Sequence, residues 1–413
     1  MKAQVTETVT IAQAKTALEQ TAALYFTKDE AGRYLIDRRR ARPVCLMGPA
    51  GVGKTEIVRQ VAEEQGLAFL SYSVTHHTRQ SAIGLPRLIQ RELDGKSVSM
   101  TEYTMSEIIA EVYRTMEESG KQEGILFLDE FNCASETLRP IMLQLLQAKT
   151  FGPHAIPEGW MLVLAGNPSE YNAAATAMDA VTADRMRLLW LRPDYAAWRE
   201  YMTGNRIHPI VLSYLDDHRG HFYQYERGKD GTALVTARGW EDLSVMLRMM
   251  EAKEYPVDLP FIAQFIQSAA VAREFLTWYS QYAELVQSGI VEKITGGKHT
   301  AALKKEIGAM DFMKKWALTS VLLMRLETVC DGALKQQEAL EKLNNVLKLY
   351  LELFSGQHQL EFLVNGVTAC DGCVKLIAEN DSQTYREAAT QVYFQKDTPS
   401  SAVLRKLLDK KRA

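Results

Sequence analysis

No stretch of this 413-residue sequence is apolar for long enough to span a bilayer, so a membrane-embedded protein is not expected. A surplus of charge of one sign is also missing. The 48 Lys and Arg stand against 51 Asp and Glu, a net charge of −3, and no global field draws the chain toward nucleic acid or an anionic surface. Cysteine is scarce and odd in number: Cys45, Cys133, Cys330, Cys370 and Cys373. That argues against a disulfide framework. The opening MKAQVTETVTIAQAK holds no apolar core of the secretory kind, so the expected compartment is the cytoplasm. Internal repeats and low-complexity segments are lacking too. What remains is an ordinary globular composition, 46% hydrophobic and 24% charged, in a chain long enough for two or three domains.

One stretch departs from this background. Gly48, Pro49, Ala50, Gly51, Val52, Gly53, Lys54 and Thr55 follow the pattern G-x-x-x-x-G-K-[ST]. Backbone N–H groups can wrap a phosphate only where no Cβ intrudes, which is why glycines are needed. In such a loop the lysine reaches the β- and γ-phosphates and the hydroxyl ligands Mg²⁺, so Lys54 and Thr55 are expected to do so here. The apolar run Val44–Met47 before the loop reads as a buried strand. Ile57, Val58, Val61 and Ala62 after it recur at helical spacing, which aims a helix N-terminus at the phosphates.

Further short apolar runs follow at 67–70, 124–128, 161–165 and 187–191, alternating with helical patterns. The expectation is an αβα sandwich with a parallel five-stranded sheet, of the kind found in P-loop nucleotide hydrolases. Beyond residue 196 only helical spacing is read, as in Trp240, Leu243 and Leu247. The expected organisation is an N-terminal helical segment (1–40), an α/β core (41–195), an all-α lid (196–254) and a helical C-terminal extension (255–413). The first segment ends in Asp37-Arg38-Arg39-Arg40, read as a solvated helix end or a contact to nucleotide or a neighbouring subunit.

Two further motifs bear on chemistry. The third run ends Leu128-Asp129-Glu130. An acid at such a strand end sits beside the metal, so Asp129 is expected to hold Mg²⁺. Glu130 is placed to polarise a water for in-line attack. The fourth run ends Ala165-Gly166-Asn167-Pro168. Asn167 is an uncharged amide at a strand's carboxyl end, where ligands bind in α/β sheets. It is suited to hold the attacking water and the γ-phosphate together.

The ordered set of Gly48–Thr55, Asp129-Glu130, Asn167-Pro168, Asp184-Arg185-Met186 and Thr236-Ala237-Arg238 resembles AAA+ ATPases, most of all the MoxR-like group of the helix-2-insert clade. The resemblance covers residues 40–250. It implies a ring, with a hexamer the expected form, and ATP with Mg²⁺ as cofactors. It also implies that Arg185 is the arginine finger given to a neighbour's ATP, with Arg187 and Arg192 as alternatives, and that Arg238 is the lid's sensor. Catalytic work would then fall to Glu130, Asn167, Arg185 and Arg238. The helix-2 insert is placed between the second run and Asp129, including Ile83–Pro86 and Glu92-Leu93-Asp94-Gly95-Lys96, and a second hairpin at 151–160. Both inserts face the pore in such rings. The group often works with proteins carrying a von Willebrand factor A-type domain, and such a partner is expected. The tail, with Phe275, Trp278, Tyr279 and Tyr282, is a candidate docking surface, or else these rings are core. Arg-Met replaces the usual Arg-Phe, and the long tail has no counterpart. A nucleic-acid-processing motor of the restriction type is the alternative, opposed by the near-neutral charge. No N-K-x-D motif is found, which favours ATP over GTP. Cys370-Asp371-Gly372-Cys373 lacks the neighbouring ligands of a zinc site and reads as two ordinary thiols. Adjacent His76 and His77 point in different directions and cannot readily chelate one ion.

Overall fold

Alternation along the apolar runs sets the layers of the first unit. The computed structural model describes residues 7–393 apart from 77, 94–95, 173, 177, 206, 229–230 and 333–334. His77 and the Asp94-Gly95 turn therefore lie outside the described residues. The chain divides after Asp194 into two compact units. The first runs β1 (Thr8–Val9), α1 (Ile11–Tyr25), β2 (Val44–Met47), α2 (Lys54–Glu64), β3 (Ala68–Ser73), α3 (Arg79–Ile83), β4 (Pro86–Leu93), β5 (Lys96–Tyr103), α4 (Glu107–Ser119), β6 (Gly124–Asp129), α5 (Arg139–Ala148), β7 (Thr150–Phe151), β8 (His154–Ala155), β9 (Trp160–Gly166), α6 (Ala180–Ala183) and β10 (Arg187–Leu191).

The central sheet is parallel, in the order β1-β10-β2-β9-β6-β3. Val44, Leu46, Ile125, Phe127 and Val163 face one way and pack with Leu18 of α1 and Val58 and Val61 of α2. Cys45, Met47, Leu126, Leu128 and Leu164 face the other way and pack with Ile109 and Val112 of α4 and Leu145 of α5. Each such buried aliphatic side chain contributes about 1.5–3 kcal/mol relative to exposure. The fold is thus a P-loop-type αβα sandwich.

Two corrections concern this unit. The sheet has six strands rather than five, because Thr8–Val9 pairs with Trp190–Leu191 at the edge. Two residues are too few to register as an apolar run. Among its described residues, the segment 1–40 is helical over Ile11–Tyr25 alone. Beyond it, the Asp29 carboxylate accepts from the Ala31 and Arg33 N–H groups, and Asp37 accepts from Arg39 N–H at 2.7 Å. Aspartates that bond nearby backbone favour turns over helix. The arginine run therefore sits on a turn, where Arg38 donates to the Ile156 carbonyl at 2.7 Å.

Two hairpins leave the sandwich. β4 and β5 pair antiparallel over their full lengths, with Leu88 79% exposed. β7 and β8 form a smaller hairpin. The two are joined at the root. His154 Nε2 donates to the Thr104 carbonyl at 3.0 Å. Gly84, at φ +102°, lies so near that carbonyl that a Cβ would stand 1.9 Å from the oxygen.

The second unit holds α7 (Tyr195–Gly204), α8 (Pro209–Asp217), β11 (Gln224–Gly228), β12 (Gly231–Val235), α9 (Ala237–Ala252), α10 (Leu259–Ala263), α11 (Ala269–Gln287), α12 (Ile290–Thr295), α13 (Ala301–Ala309), α14 (Phe312–Asp331), α15 (Gln336–Leu353), α16 (His358–Ala369), α17 (Asp371–Asn380) and α18 (Gln383–Tyr393). The segment 196–254 is not all-α: β11 and β12 pair as an antiparallel hairpin. Polar residues interrupt β11, so it makes no apolar run. One core spans the whole unit and joins Trp240 and Leu243 of α9 to Phe275, Trp278, Tyr279 and Tyr282 of α11. These four aromatics are buried, which removes them as a docking surface. No helix among the described residues is long and apolar enough to cross a membrane.

Candidate active site

The loop from Gly48 to Gly53 joins the carboxyl end of β2 to the start of α2. Gly51 and Gly53 adopt φ of +73° and +92°, values that L side chains rarely take. A Cβ on Gly53 would meet nothing within 4 Å, so it is the backbone conformation and not crowding that calls for glycine there. Gly48 serves packing instead, since a Cβ there would come within 2.8 Å of Leu191 Cβ. A glycine-bearing loop that runs straight into a helix N-terminus is the kind of backbone that holds phosphate.

Lys54 crosses this loop. Only 8% exposed, it donates from Nζ to the carbonyls of Gly48 (2.9 Å) and Pro49 (2.8 Å) and to Asn167 Oδ1 (2.8 Å). Asn167 follows β9, the strand next to β2. Its own carbonyl accepts from Asn132 Nδ2 at 2.7 Å. A Cβ on Gly166 would stand 2.5 Å from Asn132 Oδ1, so any larger residue there would push the Asn132 side chain aside.

β6, on the far side of β9, ends at Asp129. Thr55 Oγ1 donates to Asp129 Oδ2 at 3.4 Å. These are two hard oxygen donors, the kind Mg²⁺ takes alongside water and substrate phosphates. No group of three or more His, Cys, Asp or Glu among the described residues is arranged to hold a metal. A site built from one carboxylate, one hydroxyl and phosphate oxygens does not need one.

Glu130 is the strained residue of the site. Its φ of +54° is left-handed, and its N–H donates to Asp129 Oδ1 at 2.8 Å. Such a backbone costs about 1–3 kcal/mol and persists only where the surroundings enforce it. The Glu130 carboxylate accepts from Ser73 Oγ at 3.1 Å and Thr75 Oγ1 at 2.9 Å. Ser73 is the last residue of β3, and Thr75 lies in the single helical turn that follows it. β3 flanks β6 on the side opposite β9 and β2, so this carboxylate leans away from the phosphate loop. Burial, with the Glu130 and Asp129 charges, pushes the nearby Cys133 thiol up from its ordinary value. Cys45, buried under the loop on β2, is pushed up to about 12 by burial, against the pull of Lys54.

Lys54, Thr55, Asp129, Glu130 and Asn167 are thus brought together at the carboxyl ends of adjacent strands. Arg185 is not among them. It precedes Arg187, which pairs with Val44 at the amino end of β2, so it lies at the other end of the sheet from the loop. Its guanidinium bonds the Val181 carbonyl, and with the Gln147 amide turned to present its oxygen, Arg185 Nε lies 2.6 Å from it. Arg187 donates to Thr21 Oγ1 at 2.7 Å. Arg192 is exposed just beyond the carboxyl end of β10. Arg238 lies exposed in the first turn of α9, in the second unit.

Ser73, Thr75 and Asn132 are site residues that the sequence reading did not single out. The signal for the first two is a hydroxyl-rich strand end, Ser71-Tyr72-Ser73-Val74-Thr75, beside the Asp129 strand. Asn132 has no local signal, since its role depends on the neighbouring strand.

Residues 44–150 match the family model of the ATPase family associated with various cellular activities (AAA). The matched segment holds the loop, Asp129, Glu130, Ser73 and Thr75. No curated protein matches the chain.

Proposed function

We propose, from the premise that residues 44–150 form an AAA ATPase domain, that this AAA+ ATPase is a Mg²⁺-dependent ATP hydrolase of the MoxR-like group. It works in the cytoplasm as a ring, a hexamer by resemblance, and remodels or activates a partner protein. The observation that carries the hydrolytic reading is the Lys54–Asn167 bond at 2.8 Å, with the Thr55–Asp129 pair and Glu130 beside it. Lys54 and the loop N–H groups hold the phosphates. Thr55 and Asp129 hold Mg²⁺, which when bound neutralises phosphate charge. Glu130 takes the proton of the attacking water, and Asn167 orients that water. A phosphotransferase with a bound acceptor would have less need of Glu130.

Arg185 lies at the opposite end of the sheet from its own loop, which favours a finger supplied to a neighbouring subunit over one acting within the chain. Arg187 is already bonded to Thr21, which weakens its claim to that role. Arg238 acts as the lid's sensor. The partner carries a von Willebrand factor A-type domain, whose metal site captures a ligand carboxylate. With the α11 aromatics buried, the exposed β4–β5 hairpin is the better candidate to meet it.

Glu130→Gln tests the chemistry. The variant should bind ATP and Mg²⁺ like the wild type and hydrolyse at least ~10²-fold more slowly, the usual loss for a general base. Lys54→Ala should lose ATP binding itself. Wild-type turnover by Glu130→Gln would falsify the assignment.

A further inference from the structure

Asn132 joins the two strand ends that carry Glu130 and Asn167. Residues Phe131–Cys133 form a single helical turn directly after Glu130. Hydrogen bonds cross from that turn to the segment after β9. Asn132 Nδ2 donates to the Asn167 carbonyl at 2.7 Å. The Asn132 carbonyl accepts from Thr176 N–H at 2.9 Å, and Cys133 Sγ accepts from Asn172 Nδ2 at 3.2 Å. Arg139 of α5 holds the same segment, donating to Thr176 Oγ1 at 2.7 Å. The other end of the Asn132 amide shows what fixes it. Oδ1 is buried and, among the described residues, accepts no hydrogen bond. A buried acceptor without a partner is unfavourable. Turning the amide over would set that oxygen against the Asn167 carbonyl oxygen, so the donor alone decides the orientation. Lys54 also holds Asn167, through Oδ1, but the phosphates need the same ammonium. The Asn132 bond does not depend on Lys54 and can keep Asn167 in place once the ammonium turns to its substrate.

We propose that Asn132 is a positioning residue for hydrolysis and acts through Asn167. By holding the Asn167 carbonyl, it fixes where the Asn167 amide stands relative to Glu130, two residues before it in the chain. The inference rests on the roles given above to Glu130, which takes the proton of the attacking water, and to Asn167, which orients that water. Asn132 itself touches neither water nor phosphate in this scheme. It contributes geometry, and geometry at the reacting atoms acts on turnover rather than on binding.

The test compares full-length wild type with Asn132→Ala, Asn167→Ala and the double variant. Phosphate release is measured at saturating ATP, and affinity on a fluorescent ATP analogue. Asn132→Ala should turn over ATP about 10- to 10²-fold more slowly at unchanged affinity, the scale of a small misplacement at the reacting atoms. The double variant should be no slower than Asn167→Ala, because Asn132 has nothing left to position. Wild-type turnover by Asn132→Ala would overturn the proposal. So would a double variant whose loss is the product of the two single losses, the result a merely structural role gives. If Asn167→Ala itself works at the wild-type rate, the role given to Asn167 has failed and the proposal falls with it. A slow Asn167→Ala beside a fast Asn132→Ala sinks the proposal alone. Should Asn132→Ala misfold, Asn132→Leu keeps a branched side chain and removes the stranded oxygen together with the donor. It should lose turnover without losing melting temperature, and wild-type turnover by this folded variant would equally overturn the proposal.

Discussion

Replacing Ser73 with Ala and Thr75 with Val removes both hydroxyls that hold Glu130, while leaving its carboxylate, the phosphate loop and Asp129 untouched. A net hydrogen bond contributes about 0.5–1.5 kcal/mol. Bonds to a charged carboxylate sit higher, but partial exposure of this pair lowers them again. Together they favour the present orientation by about 1–2 kcal/mol, a factor of roughly 5–30 in population. That orientation points toward β3, on the side of β6 away from the phosphate loop. Glu130 must leave it before it can take a proton from a water near the Thr55–Asp129 pair. The double variant should therefore raise ATP turnover, by up to about 5–30-fold where this reorientation limits the rate. The assay is phosphate release at saturating ATP, with affinity measured separately on a fluorescent analogue. Affinity should not change. A fall in turnover at unchanged affinity would refute the reasoning, because the hydroxyls would then be holding the carboxylate in its working position.

Arg185→Ala should leave the subunit folded and able to bind ATP but deprive it of hydrolysis, a loss of about 10³–10⁵ where fingers are best understood. Mixing it with Glu130→Gln subunits should restore activity at interfaces where intact Arg185 faces intact Glu130, and no recovery in demonstrably mixed rings would exclude a finger acting in trans. A chain ending near residue 254 should aggregate rather than remain a soluble ATPase, since Trp240, Leu243 and Leu247 share their core with Phe275 and Trp278; light scattering during refolding reads this directly. In the same core, burial pushes the Glu251 carboxyl up, but bonds from His208, Tyr279 and Tyr282 outweigh it and hold the group below its usual value. Stability from a depressed carboxyl is present above its unfolded value near 4.5 and is lost as pH falls through the folded one, so the melting temperatures of wild type and Glu251→Gln should differ at pH 7 and converge in acid.

The sandwich was legible because sheet strands covered on both faces are apolar throughout, as in Val44–Met47 and Trp160–Gly166. The same rule hid Thr8–Val9 and β11, whose residues are too few or too polar to make a run. Lys54, Thr55, Asp129, Glu130 and Asn167 could be named because phosphate chemistry ties each to a fixed place beside a strand end. Ser73, Thr75 and Asn132 could not, since their contacts arise only when β3, β6 and β9 lie side by side. Arg38 fits neither expectation for its basic run, a solvated helix end or a contact to nucleotide or a neighbouring subunit: it ties a turn to the Ile156 carbonyl.

The root shared by the two hairpins has a mechanical consequence. β9 is seven residues long, with Asn167 just past one end and the β7–β8 hairpin just before the other. At about 3.3 Å per residue it is a rod of roughly 23 Å, held by β6 over Trp160–Leu164 and by β2 over Val163–Gly166, which stiffens it against compression. A push of an ångström at Asn167 would travel along it with little loss. His154 would hand that push to Thr104, at the foot of β4–β5. There it becomes torque. The hairpin arm is eight residues, about 26 Å at the same rise, so a tilt of about 10° at the foot would carry the tip roughly 5 Å. Pushrod and lever together would turn a displacement the size of a hydrogen bond into one the size of a side chain.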